Sequence, residues 1–186
     1  MTNPLLAPWT APFGLPPFAD VRPEHFVPAF AEAMARHLDE VDAIAAAADA
    51  PTFANTIAAL DRAGRDLERI RALFFNLTSS ETSPALQEVQ RAMAPRLAAH
   101  DSRVHTHAGL FARIDALHAR RDAIGLDGEQ RRALERFHLD FVRAGARLAP
   151  TARERHAEIV QRIAELMTRF RNRALPHRTQ QIAMDG

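Results

Sequence analysis

The sequence predicts an all-α protein, a multi-helix antiparallel bundle of about six helices. Three observations carry this. Apolar residues recur three and four apart over several long stretches, the spacing of one helix face. Capping residues, prolines and glycines fall between the stretches, where helices begin and end. Gly is scarce, at 7 of 186 residues, and no long β-branched run offers a sheet. A chain of this length can bury a core as one domain without covalent staples.

The best-marked element is LDGEQRRALERFHLDFVRAGARLAP, residues 126–150. Asp127 and Gln130 have the spacing of a capping box, and Leu134, Phe137, Phe141 and Ala144 line one face. Gly145 tolerates the left-handed conformation that helix ends use. Pro150 forbids continuation, and Thr151 with Glu154 predicts a new cap.

Taken in order, residues 1–22 read as an extended, Pro-rich N-terminal segment packed on the body. Leu5, Leu6, Trp9, Phe13, Leu15 and Phe18 are its expected anchors, each worth roughly 1.5–3 kcal/mol if fully buried. Residues 23–172 are the helical domain. Its first helix begins between Pro23 and Pro28 and turns Phe30, Met34, Leu38, Val41 and Ile44 inward. The second starts at Thr52 as N-cap and carries Phe53, Ile57, Leu60, Leu67, Ile70 and Phe74. Gly64 in its middle is read as permitting close approach of a neighbouring helix. Ser79 to Ser83 form a polar turn, and Pro84 opens a third helix with Leu86, Val89, Met93, Leu97 and Val104, where Pro95 predicts a kink or an early end. A fourth covers Leu110 to Ile124 with Phe111, Ile114 and Leu117 inward, closed by Gly125. The sixth carries Ile159, Ile163, Leu166 and Phe170 on one side. Residues 173–186 offer no face to bury and read as a disordered tail.

Composition narrows the function classes. There is no Cys, which excludes disulfides, thiolate metal sites and cysteine nucleophiles. No apolar run reaches membrane-spanning length and no secretory signal opens the chain, so a cytoplasmic protein without a membrane partner is expected. Every one of the 24 basic residues is Arg, against 23 acids. The Arg interleave with acids (Arg65, Arg69 and Arg71 with Asp61, Asp66 and Glu68), which is the pattern of a solvated face. No nucleic-acid partner is expected.

Candidate chemistry is sparse. Asp39, Glu40 and Asp42 form a carboxylate cluster set between periodic apolar positions, as on a solvated face. No two of the nine His lie three or four apart, and none is followed by Glu, so the H-E-x-x-H zinc motif is missing. His105 and His107 would point about 200° apart on a helix. His138 and His156 fall beside core positions in helices five and six, and even facing each other they would be a lone pair without the third ligand a metal site needs. No P-loop, dinucleotide fingerprint or nucleophile elbow occurs. No catalytic, cofactor-binding or metal residue is assigned.

Several separated blocks nevertheless carry a resemblance. NPLL (3–6), PFGLPPFADVRPEHFVPAF (12–30), PTFANTIAALDRAG (51–64), LFFNLTSSETSPALQ (73–87), APRLAAH (94–100), LFARIDAL (110–117) and LERFHLDFVRAGARL (134–148) resemble, in order, the N-terminal region of the zinc oligopeptidase family. That is the group of oligopeptidase A, peptidyl-dipeptidase and thimet oligopeptidase. The resemblance implies a helical channel wall in a zinc metallopeptidase that cleaves short peptides. In the family the zinc ligands and general base lie in the later half, and none has a counterpart among these residues, so this chain alone is expected to hold no zinc and to be inactive. The expected partners are oligopeptides or a catalytic metallopeptidase half. After Asn172 the chain departs from the family's Asn-Val-Leu-like continuation. One extra base turns a Val-Leu reading into Arg-Ala, so a truncated or frameshifted fragment is expected, with an exposed apolar flank. A stand-alone helical peptide- or protein-interaction module is the alternative.

Overall fold

α1 (Phe26–Ala46) is the strut against which most other elements lie. A 3₁₀ turn at Pro23–His25 leads into it, and a wide π turn at Phe53–Ile57 follows it. Then come α2 (Ala58–Arg62), α3 (Arg65–Ser80), α4 (Pro84–His105), α5 (Ala108–Ala119), α6 (Gly128–Arg143) and α7 (Pro150–Met184). This computed structural model describes residues 3–81 and 83–184, with side chains for all of these but 150, 153 and 171–184. Among the described residues there is no strand, so the expected all-α class is the observed one. α1 packs on α3, α4 and α5, α5 packs on α6, and α4 packs on α7. The tail expected to be disordered, 173–186, falls where side chains lie outside the described residues.

Side-chain caps mark the starts of the π turn, α4, α5 and α6. Thr52 accepts from Asn55 N at 3.1 Å while the Asn55 side chain accepts from Thr52 N at 2.8 Å. Asp127 and Gln130 make the same reciprocal pair, at 2.8 and 3.4 Å. Ser83 accepts from Leu86 N at 3.2 Å, one residue before the N-terminal proline of α4. Each such cap satisfies an amide that the first helical turn leaves without a partner.

Four boundaries differ from expectation. The second expected helix breaks in two, because Gly64 takes a left-handed φ of 70° between α2 and α3. It also gives the close approach read from the sequence, since a Cβ there would lie 2.9 Å from the His37 ring. α5 ends at Ala119, five residues before Ile124, and turns carry the chain to Gly125 at φ 67°. α4 does not end at Pro95 but continues to His105, where packing on α1 and α7 outweighs one missing backbone bond. α7 opens on Pro150 itself, a residue suited to a first helical position, so Thr151 lies inside the helix and does not cap it.

The N-terminal segment is anchored by half of its predicted residues. Leu5 is fully buried, and Leu6 and Trp9 pack beside it. The Arg69 guanidinium lies 4.5 Å from the Trp9 ring centroid, a cation–π contact. Phe13, Leu15 and Phe18 are exposed instead, Phe13 completely and at a left-handed φ of 63°. The prolines around them hold this loop off the surface, out of reach of the core.

Two apolar clusters stack along α1 and α4. The first gathers Leu5, Phe26, Phe30, Met34, Leu67, Ile70, Phe74, Met93 and Leu97 among others. Its centre is Phe74, edge-on to Phe26 at 4.9 Å and to Phe30 at 5.4 Å, the geometry that aromatic quadrupoles favour. The second gathers Val41, Ile57, Leu60, Val104, Leu110, Ile114, Leu117, Leu134 and Phe141. The break at Gly64 is what lets one apolar stripe serve both, with Ile57 and Leu60 in one cluster and Leu67, Ile70 and Phe74 in the other.

Candidate functional site

α7 meets α4 through a narrow inward line of His156, Val160, Ala164 and Thr168, spaced every four residues. Thr168 is buried, its hydroxyl returned to the Ala164 carbonyl at 2.9 Å. With that line facing inward, the apolar stripe read from the sequence must face out. Ile159, Ile163, Leu166, Met167 and Phe170 are between 45% and 70% exposed. Five large apolar residues on one helix face, each about half exposed or more, make a contiguous patch of the kind that marks an interaction surface. The stripe is legible in the apolar spacing; the fold adds that no other element covers it among the described residues.

Between this helix and α3 runs a cavity of about 230 Å³. Phe74, Phe75, Met93, Leu97 and Met167 supply most of its apolar lining, and the Arg71–Asp101 ion pair (3.0 Å) borders it. Met167 both lines the cavity and belongs to the exposed α7 stripe, so the two adjoin.

The remaining candidate residues are structural. Asp42 pairs with His107 at 3.1 Å, and Glu40 accepts from the Gly64 amide at 2.6 Å. Asp39 stays exposed, so the carboxylates do not act together. His105 points Nδ1 at the Asp101 carbonyl, 2.8 Å away, whereas His107 caps α5 through Leu110 N at 3.0 Å. His138 and His156 lie in separate surroundings. His138 Nε2 lies 2.9 Å from Asp115 and its ring stacks flat on His118, centroids 3.8 Å apart. His156 sits instead by Gly145 and the end of α6, because the turns after Arg143 separate the two helices.

The zinc implied by the resemblance does not fit these residues. Among the described residues no three His, Asp or Glu converge on one point. The parallel rings of His118 and His138, 4° apart, keep their lone pairs in separate planes. Asp115 Oδ1 is already shared by His138 and Arg147 (3.1 Å). His37 Nδ1 and His100 Nε2 face each other at 2.9 Å and are used up in that contact.

Two features escaped the sequence reading. Arg113 is buried and donates to the carbonyls of Ala47 (2.8 Å) and Asp49 (3.0 Å) and to Asn55 Oδ1 (3.1 Å). It ties the loop after α1 to α5, and its signal was an Arg at an inward position of LFARIDAL. The His37–His100 contact joins residues 63 apart and left no local mark.

No family model matches the chain. Among characterised proteins it is similar to the dipeptidyl carboxypeptidase of Salmonella typhimurium, 36% identical over 174 residues, which are 94% of this chain and 26% of that protein. The Escherichia coli dipeptidyl carboxypeptidase is likewise 36% identical over 173 residues, 93% of this chain and 25% of that protein. Oligopeptidase A of Escherichia coli is 31% identical over 175 residues, 94% of this chain and 25% of its own length. The chain thus spans about a quarter of the length of the curated relatives that it matches. Among the described residues no helix is long and apolar enough to cross a membrane. Nearly the whole of this helical chain is thus similar to the N-terminal quarter of dipeptidyl carboxypeptidase and oligopeptidase A proteins.

Proposed function

We propose that these residues form a helical wall domain of a cytoplasmic peptidase acting on short peptides. Its role is to bound the substrate channel and to lean on a catalytic body, and the reacting groups and the zinc belong to that body. The observation that carries this reading is the outward apolar face of α7, Ile159 to Phe170, on a domain whose relatives are about four times its length. A face of that kind is stable when another apolar body covers it.

The test uses the remaining three quarters of the Escherichia coli dipeptidyl carboxypeptidase, produced as a separate polypeptide. Association with this chain, lost on Ile163→Glu with Leu166→Glu, is the expected result. The 186-residue chain by itself is expected neither to cleave a quenched oligopeptide nor to retain zinc after dialysis. Cleavage with one bound zinc per chain would overturn the wall role, as would association that ignores both substitutions.

The cavity between α3, α4 and α7 favours a second reading, a stand-alone module that binds peptides or a partner protein. Saturable binding of a fluorescent oligopeptide that is abolished by filling the cavity with Ala164→Phe, while the catalytic body fails to bind, would favour it.

A further inference from the structure

At one level of the fold, three elements pass from the first apolar cluster to the second. On α1 the change falls between Met34 and Val41, on α4 between Leu97 and Val104, and on the α2–α3 chain between Leu60 and Leu67. The residues at that level are polar or bare: His37, His100 and Gly64. His37 Nδ1 and His100 Nε2 approach to 2.9 Å, and the Gly64 backbone presses on the His37 ring so closely that a methyl group would not fit. Glu40, one turn along α1 from His37, accepts from the Gly64 amide at 2.6 Å. The seam between the clusters is therefore held by a histidine pair, a left-handed glycine and one carboxylate.

We propose that the His37–His100 pair is a proton-sensitive latch, holding the Gly64 break and the first cluster against the second and releasing them on acidification. An N–H···N contact needs a proton on one facing nitrogen and a lone pair on the other. One added proton can still be shared as an imidazolium donating to a neutral ring, but a second makes both rings cations, sets two N–H groups head-on and places two charges side by side. His100 is 5% exposed and its Nδ1 has no hydrogen-bond partner, so little water can relieve that charge.

Charged groups of both signs face the pair: Glu40 from α1, Glu68 and Arg71 from α3, and Asp101 and Arg103 from α4. The acids favour protonation and the arginines oppose it. Burial outweighs both, and it lowers His37 and pushes His100 down to about 4. Since the folded value lies below the ordinary 6.5, the open chain takes up protons first as pH falls. The latch is whole above about pH 6.5 and weakens below it.

Amide hydrogen exchange on the intact chain tests this, with protection factors corrected for the intrinsic pH dependence. The amides of Gly64, Glu68 and Arg69 are expected to hold between pH 7.5 and 6.5 and, from there to pH 5, to lose up to about tenfold protection per pH unit for each proton taken up. Those of Phe30 and Ile114, inside the two clusters, are expected to hold. His37→Gln is expected to reduce the pH dependence by the share of one histidine, and His37→Gln with His100→Gln to remove it. Equal loss at all five amides, no loss, or unchanged loss in either variant would each overturn the latch. Should the variants fail to fold, the imidazole resonances of the unaltered chain decide. His100 remaining neutral at pH 5 supports the proposal, and ordinary titration near 6.5 ends it.

Discussion

One oxygen of Asp115 receives both His138 Nε2, at 2.9 Å, and Arg147, at 3.1 Å, tying α5 to α6 and to the turn beyond it. His138 brings further contacts, since its ring is stacked between His118 and Phe111. The hydrogen bond from His138, with help from Arg147, holds the Asp115 carboxyl below its ordinary 3.8. The contribution is therefore present above pH 3.8 and disappears as the pH falls through the lowered value. Asp115→Asn should flatten the acid side of the stability profile below pH 3.8. The carboxylate side chain is 46% exposed, so solvent screening limits the loss at neutral pH to about 1 kcal/mol or less. Urea unfolding at stepped pH checks this, and an unaltered acid limb in the variant would refute it.

Gly64→Ala combines two penalties. A residue with a Cβ is strained at φ 70°, and that Cβ would lie 2.9 Å from the His37 ring. We expect a loss of about 1–3 kcal/mol, counting a left-handed alanine at about 1 kcal/mol and the clash on top. His37→Ala in the same chain should recover the clash and leave the backbone strain. Urea melts of the two single variants and the double measure the coupling. Strictly additive losses would show that the ring and the glycine do not constrain each other.

On α7, Ile163→Gln with Leu166→Gln should leave stability within about 0.5 kcal/mol, because neither side chain is buried by this chain. Self-association should fall, since the patch that drives it is broken. Sedimentation velocity over a concentration series reads the second effect, and thermal melts the first. A large fall in melting temperature would mean that the stripe packs against this chain after all.

Much of this molecule is legible in local sequence because helix signals are local. Caps at Thr52 and Asp127 each act on an amide three residues away, and apolar spacing names the buried face of α1, α3 and α6 without any knowledge of neighbours. The family blocks are legible for a similar reason, being contiguous runs that keep their order. The misreadings fall where two remote segments compete. Phe13, Leu15 and Phe18 look like anchors by composition, but the prolines carry them away from the core. What His138 meets is not legible either, since Asp115 and His118 come to it only in the fold.

The residues alone determined that the chain would be helical, roughly where each helix would begin, and which apolar side chains each would carry. Tertiary packing decided which of those side chains are covered. α7 turns its small residues Ala164 and Thr168 to α4 because they permit close helix contact, and the larger stripe from Ile159 to Phe170 is left facing solvent. It also decided that Gly64 would be a break and that His37 and His100 would meet. Those outcomes depend on distances between segments up to 63 residues apart, which no local periodicity encodes.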